Sequence, residues 1–250
     1  MGRNRKLLLS IIVPAYKQEK TIKKDLERMI SVFEEGLGKT IDFEVIVVVD
    51  GKVDKTEQEA KKVKDGRIRI ISYEQNRGKG YAVRMGMKSA HGELISFLDA
   101  GMDISPKSLL MLMAHFTWYE ADIIVGSKRH PVSRVNYPFK RKLLSLGYHL
   151  LVRVFFGLNL SDTQSGIKIF RREVVEKIID KLLVKRYAMD IEMLAVARRF
   201  GFRRIYEAPI EVTFNKSTSA INWHTIYKML WDTLAVFYRL KILRYYDKAR

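Results

Sequence analysis

The run Asp99-Ala100-Gly101-Met102-Asp103 sets two carboxylates on either side of a glycine, directly after the apolar stretch 93–98. Carboxylates leaving the end of a buried strand can hold a divalent cation. Hard oxygen ligands suit Mg²⁺ or Mn²⁺, and such a metal would neutralise a diphosphate. The competing use is structural, a loop aspartate serving the helix that begins near Pro106, although Ser105 is the better cap for it. A second cluster is Asn76-Arg77-Gly78-Lys79-Gly80. Glycines before a helix let the backbone approach a phosphate, the helix N-terminus favours anions, and Arg77 and Lys79 add charge; an ordinary tight turn fits the same residues. Asp50-Gly51, with Asp54 and Thr56, could accept hydrogen bonds from a base or ribose, or simply make a turn and start a helix.

Further along, Gly126-Ser127-Lys128-Arg129 is followed by Arg134, Lys140, Arg141 and Lys142. Clustered cations beside an apolar helix suit a phosphate attached to something greasy; a solvated basic surface is the plain alternative. Asp162-Thr163-Gln164-Ser165-Gly166 and Asp190-Ile191-Glu192 add carboxylates that a turn and a helix start would also explain. The five histidines (His91, His115, His130, His149, His224) have no metal-ligand spacing. No GxSxG, P-loop or complete dinucleotide fingerprint is present.

The elements that must position these groups follow from hydrophobic pattern. Continuous apolar runs at 7–13, 43–49, 67–71, 93–98 and 122–125 predict strands buried on both faces. Helical spacing predicts helices over 21–37, 54–64, 78–90 and 106–116 between them. This alternation means a mostly parallel sheet covered by helices on both faces, whose ligands bind beyond the carboxyl ends of the strands. The polar segments 14–19, 50–56, 76–80 and 99–103 are those ends. The second half reads as a helix over 141–156, a strand at 166–170, helices near 172–182 and 190–200, an extended stretch at 203–214 and a long amphipathic helix through Trp223 and Phe237. The expected organisation is one α/β domain over 1–220, its donor half about 1–125 and its acceptor half about 126–220. An amphipathic C-terminal helical annex over 221–250 could meet a membrane interface.

With 46 basic and 28 acidic residues the chain carries +18, which points to polyanions: nucleic acid, an anionic membrane surface or phosphorylated substrates. The basic residues are scattered and no nucleic-acid motif occurs, so nucleic acid ranks last. The absence of cysteine excludes disulfides, thiolate catalysis and Cys-ligated zinc. The longest apolar stretch, 143–152, is broken by Tyr148 and His149 and is far short of the about 20 residues of a span. The opening MGRNRKLLLSIIVPAY has the outline of a leader, but the run is short and Pro14 ends it, so a buried first strand is expected.

Taken in order, these segments resemble family 2 glycosyltransferases with the GT-A fold. They are closest to the polyprenyl-phosphate branch of dolichyl-phosphate glucosyltransferases and dolichol-phosphate mannose synthases. IIVPAYKQEKTI resembles the family's opening, VVVDGKVDKT its paired-aspartate segment, and NRGKGYAVRMGM its NxGKGxAVRxG. SFLDAGMD sits where the DxD metal motif is expected. GSKRH, RKLLSLGYHLLVRVFFG, DTQSGIKIFRR and YAMDIEML follow, with DTQSGIKIF the most specific. The resemblance implies that Pro14, Ala15, Tyr16, Gln18 and Asp50, with Arg77 and Lys79, serve the nucleotide-sugar. Asp99 and Asp103 would face the diphosphate and its Mg²⁺ or Mn²⁺. Ser127, Lys128, Arg129, Arg141 and Ser145 would bind the acceptor phosphate, and Asp162, Gln164, Asp190 and Glu192 would stand near the sugar. Lys128 and Arg141 would join Asp99 and Asp103 in the reaction centre.

What the resemblance implies chemically is inverting transfer of a hexose from UDP-glucose, or from GDP-mannose, to a polyprenyl or dolichyl phosphate. The protein would sit peripherally on the cytoplasmic face of a membrane, with a membrane-protein partner as a possible anchor. The chain departs from the family at three positions: Gly101 replaces the second acid of DxD, Gln18 a glutamate, and Val49 the first paired aspartate. These departures leave room for a second class, a nucleotide-sugar or lipid-phosphate binding protein impaired in turnover.

Overall fold

The structure, a computed structural model, describes residues 6–38, 40–133, 139–186, 188–212 and 223–248; the side chains of 139–146 and 223–225 lie outside the description. The first half alternates β1 Leu7–Ala15, α1 Ile22–Gly36, β2 Ile41–Asp50, α2 Thr56–Ala60, β3 Ile68–Tyr73, α3 Lys79–Lys88, β4 Leu94–Leu98, α4 Lys107–Trp118 and β5 Ile123–Ser127. The second half adds α5 Phe139–Phe156, β6 Ile167–Arg171, α6 Arg172–Ile178, α7 Met189–Arg199, β7 Ile205–Pro209 and α8 Trp223–Phe237. A π-helical turn, Tyr238–Ile242, then leads to α9 Tyr245–Lys248.

The strands form one sheet in the order β3-β2-β1-β4-β6-β5-β7. β1 pairs in parallel with β2 and β4, β2 with β3, and β5 with β7; β6 runs antiparallel between β4 and β5. The central runs are rich in β-branched residues because both faces are covered and such side chains pack well on a pleated surface. Along β1, Leu9, Ile11 and Val13 face a core with α1 and α4, whereas Ile12 faces a core with α3, α5, α6 and α7. Val236, Leu240 and Tyr246 of the C-terminal segment are buried in that second core. The annex is therefore packed onto the domain rather than hung from it.

Two elements differ from expectation. The helix expected over 54–64 is only α2, Thr56–Ala60: after Ala60 the chain tightens into i→i+3 turns, Lys62 N to Glu59 O and Val63 N to Ala60 O, both at 3.2 Å. Asp54 Oδ1 accepts from Thr56 N at 3.0 Å, and Asp65 Oδ1 accepts from Arg67 N at 2.8 Å. The extended stretch expected over 203–214 is β7 plus a single bridge between Ile104 and Val212; 213–222 lie outside the described residues.

Because β1 turns out to β2 on one side and to β4 on the other, the sheet has its switch point between β1 and β4. Antiparallel β6 begins at the edge where β4 and β5 end: Phe97 of β4 and Val125 of β5 both pair with Lys168. Segment 161–166 is thereby delivered between Asp99 and Lys128.

Candidate active site

Asp99 leaves β4 at this edge and is held from two sides. Its backbone N donates to Gly166 O at 3.2 Å, and Lys79 Nζ donates to its Oδ2 at 2.7 Å. Its Oδ1 is buried and has no hydrogen-bond partner among the described residues. Burial works against the Lys79 ammonium, but Asp99 and Asp190 outweigh it and hold its pKa above the ordinary lysine value. Asp103 lies exposed on the same loop. Among the described residues no three His, Cys, Asp or Glu side chains converge. Divalent magnesium commonly uses one or two carboxylates and completes its shell with substrate phosphate and water. An unpartnered carboxylate oxygen on a strand-end aspartate fits that use.

The loop after Asp99 is shaped for its place. Gly101 and Met102 both have left-handed backbones, φ +92° and +60°. Gly101 N donates to Asp25 Oδ2 at 3.2 Å. Burial raises the Asp25 pKa, opposed by its bonds from Thr21 and Gly101. Asp25 was not expected at the site, yet the pattern contains it: it falls on the buried stripe Ile22, Leu26, Met29 of α1, where an acid needs a reason.

Behind Asp99 lies a second, fully buried pair. Lys168 is 0% exposed, donates to Ser165 O at 2.7 Å and to Asp190 Oδ1 at 2.5 Å, and lies 5.2 Å from the Phe97 ring centroid. Desolvation pushes the Lys168 pKa down, Asp190 opposes it, and Lys79 adds to the depression. Two cations and two carboxylates thus share the floor. Lys168 is absent from the expected residues, because a single lysine in Ile167-Lys168-Ile169-Phe170 reads as the solvent side of an alternating strand. Ser165 Oγ is also buried without a described partner.

On the donor side, the 14–19 loop is latched to the loop after β2: Gln18 N donates to Thr56 Oγ1 at 2.8 Å and Glu19 N to Asp54 Oδ2 at 3.4 Å. Pro14 and Ala15 close β1, and Tyr16 stands 41% exposed at the mouth. Asp50 departs from expectation. It is 3% exposed and accepts from Tyr73 OH (2.8 Å), Asn76 Nδ2 (2.9 Å), Arg77 N (2.7 Å) and Gly78 N (2.9 Å). With its lone pairs taken, it clamps the 76–78 loop and is not a free acceptor for a base or ribose.

The glycines of that loop are also used differently. A Cβ on Gly80 would stand 2.7 Å from Val184 O, and Gly80 N donates to Lys185 O at 2.8 Å. The first turn of α3 packs on the 184–185 backbone instead of cradling a phosphate. Arg77 is exposed, its guanidinium 4.9 Å from the Tyr81 ring centroid.

On the acceptor side, Lys128 and Arg129 are half-buried after β5. Lys128 N donates to Asp162 Oδ2 at 3.1 Å, and Asp162 Oδ1 accepts from Gln164 N at 3.1 Å. Glu207 holds Ser161 N and Asp162 N at 2.9 and 2.8 Å. Ser127 is fully buried, its hydroxyl engaged with Ser161 Oγ (3.1 Å) and Arg129 N (3.3 Å), so it fixes the loop rather than facing a ligand. Gln164 Nε2 lies 2.9 Å from Met229 Sδ and 3.5 Å from Tyr148 OH, joining the site to α5 and α8.

Glu192 is another correction: it is fully buried and accepts from Val184 N (2.8 Å) and Tyr246 OH (2.6 Å), with burial raising its pKa against those bonds. It ties the C-terminal segment to the turn before α7. The side chains of Arg141 and Ser145 lie outside the described residues, although α5, which carries them, follows the Lys128 loop. What assembles at the edge is Tyr16 and Gln18, Asp99 with Lys79, the Asp190–Lys168 pair, and Lys128 with Asp162 and Gln164.

The family model described as glycosyl transferase family 2 matches residues 10–179. The chain is 36% identical over 204 residues to a dolichyl-phosphate beta-glucosyltransferase of Drosophila melanogaster, covering 76% of this chain and 63% of that one, less than two thirds of its length. It is 34% identical over 256 residues to dolichyl-phosphate beta-glucosyltransferase ALG5D of Trichomonas vaginalis, covering 96% and 76%. Among solved structures, glucosyl-3-phosphoglycerate synthase from Mycobacterium tuberculosis in complex with uridine-diphosphate superposes with a TM-score of 0.69 at 21% identity, covering 93% of this chain and 79% of that one. Mannosyl-3-phosphoglycerate synthase from Rubrobacter xylanophilus gives a TM-score of 0.72 at 16% identity, covering 94% and 74%. These two likenesses show a shared mostly parallel α/β fold of the GT-A type.

Proposed function

This chain belongs to glycosyl transferase family 2, and from that premise we propose that it transfers a hexose from a nucleotide-sugar, UDP-glucose first, to a polyprenyl or dolichyl phosphate. The observation that carries the reading is the pairing of two strand ends. Asp99 and Lys128 leave β4 and β5 at matching levels with only β6 between them. Two strand spacings are about 10 Å, enough to seat a donor diphosphate at Asp99 and an acceptor phosphate at Lys128. The names of the relatives support glucose and dolichyl phosphate as the first pair to test.

Asp99, aided by Asp103, would hold Mg²⁺ or Mn²⁺ at the donor diphosphate. A divalent cation there supplies charge neutralisation for the leaving nucleoside diphosphate. Everything else is positioning by this chain. Tyr16 offers an exposed ring to the base. Lys79 holds one Asp99 oxygen and leaves the other free. Lys128, fixed through its own N–H by Asp162, aligns the acceptor phosphate with Arg141 and Arg129. That phosphate is already anionic, so no side chain has to remove a proton from it. Its oxygen attacks the anomeric carbon as the diphosphate departs, inverting the centre.

A greasy acceptor requires a bilayer, and among the described residues no helix is long and apolar enough to cross one. Peripheral contact through α5 and α8 is supported by Leu150, Val154, Trp231 and Leu234, apolar residues left 43–70% exposed.

A binding protein without turnover is the second reading, favoured by Gly101, whose φ of +92° puts a glycine-adapted backbone where the family carries an acid. A transfer assay decides. Radiolabelled UDP-glucose, GDP-mannose and UDP-GlcNAc are offered separately with polyprenyl phosphate in detergent, with Mg²⁺ or Mn²⁺ and with EDTA. Labelled lipid from UDP-glucose, lost with EDTA, is expected. Folded protein that binds nucleotide and labels no lipid from any donor overturns the transfer reading.

A further inference from the structure

Away from the strand ends, the described surface contains a cavity of about 470 Å³ between α5, the end of α7 and the π-helical turn. That volume is within the about 300–1,000 Å³ typical of small-molecule sites. Five of its lining residues are cations: Arg198 and Arg199 on α7, Arg203 after it, Lys241 in the π turn and Arg244 before α9. Only Arg199 has an ion pair among the described residues, to Asp247 at 2.7 Å. Gathering like charges in one concavity costs stability through mutual repulsion unless an anion occupies it. The floor is apolar, with Phe156 and Leu240 buried.

Two backbone features build the rim. Tyr238–Ile242 is a π turn, a form that recurs at functional sites. Arg244 holds a left-handed backbone at φ +49°, which a non-glycine residue adopts at a cost. Next to the lining residues Lys241 and Arg244 in sequence, Ile242 and Leu243 are 62% and 46% exposed. The cavity therefore has exposed cations on its walls and exposed apolar residues beside two of them in sequence.

We propose that this cavity binds the phosphate head group of an anionic membrane phospholipid that is not the acceptor. A free phosphate would satisfy the arginines and leave Ile242 and Leu243 in water; a lipid satisfies both. The site is separate from the proposed reaction centre: Asp190 and Arg198 lie at opposite ends of α7, about 12 Å apart along its axis. Occupancy would hold α5 and α8 flat on the bilayer with the strand-end edge free.

The test is co-flotation of the full chain with vesicles of phosphatidylcholine alone and of phosphatidylcholine with phosphatidylglycerol. Wild type is expected to partition onto the second and not the first. The combined Arg198→Gln, Arg203→Gln and Arg244→Gln variant should lose about fivefold per charge removed. A charge-matched control, Lys61→Gln with Lys62→Gln and Lys64→Gln on exposed positions near α2, should bind as wild type. Equal loss in both variants overturns the site in favour of diffuse charge. Inorganic phosphate binding wild type as strongly as the vesicles do overturns the lipid assignment. If the triple variant fails to fold, Arg203→Gln and Arg244→Gln read singly give the same comparison. Transfer to a short-chain acceptor in detergent should be unchanged in the cavity variants. Because flotation uses no donor or acceptor, a failed transfer reading leaves this result legible.

Discussion

Gly166 stands directly against Asp99: a Cβ at that glycine would lie 2.8 Å from the Asp99 Cγ and collide with Oδ2, while Gly166 O takes the Asp99 N–H. The aspartate keeps its place because its neighbour just before β6 has no side chain.

Gly166→Ala should therefore displace the carboxylate while the strands stay paired. Overpacking of this kind costs about 1–3 kcal/mol. The expected outcome is a modestly lowered Tm with a much larger fall in transferase rate and in metal-dependent nucleotide binding. Calorimetry beside the transfer assay checks it; unchanged activity at a lowered Tm would remove Asp99 from the reaction centre.

Lys168→Met should strand Asp190 as an unpaired buried charge, costing about 3–5 kcal/mol. Adding Asp190→Leu should recover most of that stability, since the pair itself is close to neutral against an apolar replacement. Urea unfolding of both single variants and the double variant measures the coupling. Additive losses would mean that the two groups do not depend on each other.

Gly101→Asp has space, the nearest atoms being the Gln18 amide at 3.7 and 3.8 Å, but it must adopt φ +92°. The backbone penalty is about 1–2 kcal/mol. We expect a lower Tm together with tighter, EDTA-sensitive binding of UDP, measured by calorimetric titration with Mn²⁺. Loss of binding would mean that the glycine itself is what the donor requires.

Glu44 predicts the acid limb of stability. Burial alone would raise its pKa, but bonds from Ser10 Oγ (2.6 Å) and His91 N (2.8 Å), with Arg69, win and hold it below the ordinary glutamate range. A depressed carboxylate binds fewer protons folded than unfolded. Its contribution is therefore complete above the ordinary glutamate range and disappears as pH falls below it. Glu44→Gln should flatten that part of the stability profile in chemical denaturation at stepped pH.

The sheet and its covering helices were legible because continuous apolar strands and 3.6-residue spacing are local signals, and the strand-end rule pointed to the edge where Asp99, Lys79 and Lys128 stand. The roles of individual carboxylates were not. Asp50, Asp190 and Glu192 look alike as acids near turns. What separates them is a partner far along the chain: Gly78 for Asp50, Lys168 for Asp190, Tyr246 for Glu192. Lys168 was invisible for the same reason, since nothing within Ile167–Arg171 reveals that its ammonium is enclosed.

Antiparallel β6 also has a consequence for how such a chain can diversify. The excursion from Lys128 to Gly166 departs from and returns to one edge, and its neck is closed by Ser127 to Ser161 and by Lys128 to Asp162. It is a cassette with both ends in the same place. Its loops can change length without re-registering any strand, whereas α5 is held to the second core by Val152 and Phe156, so change in this half is confined to what surrounds that helix.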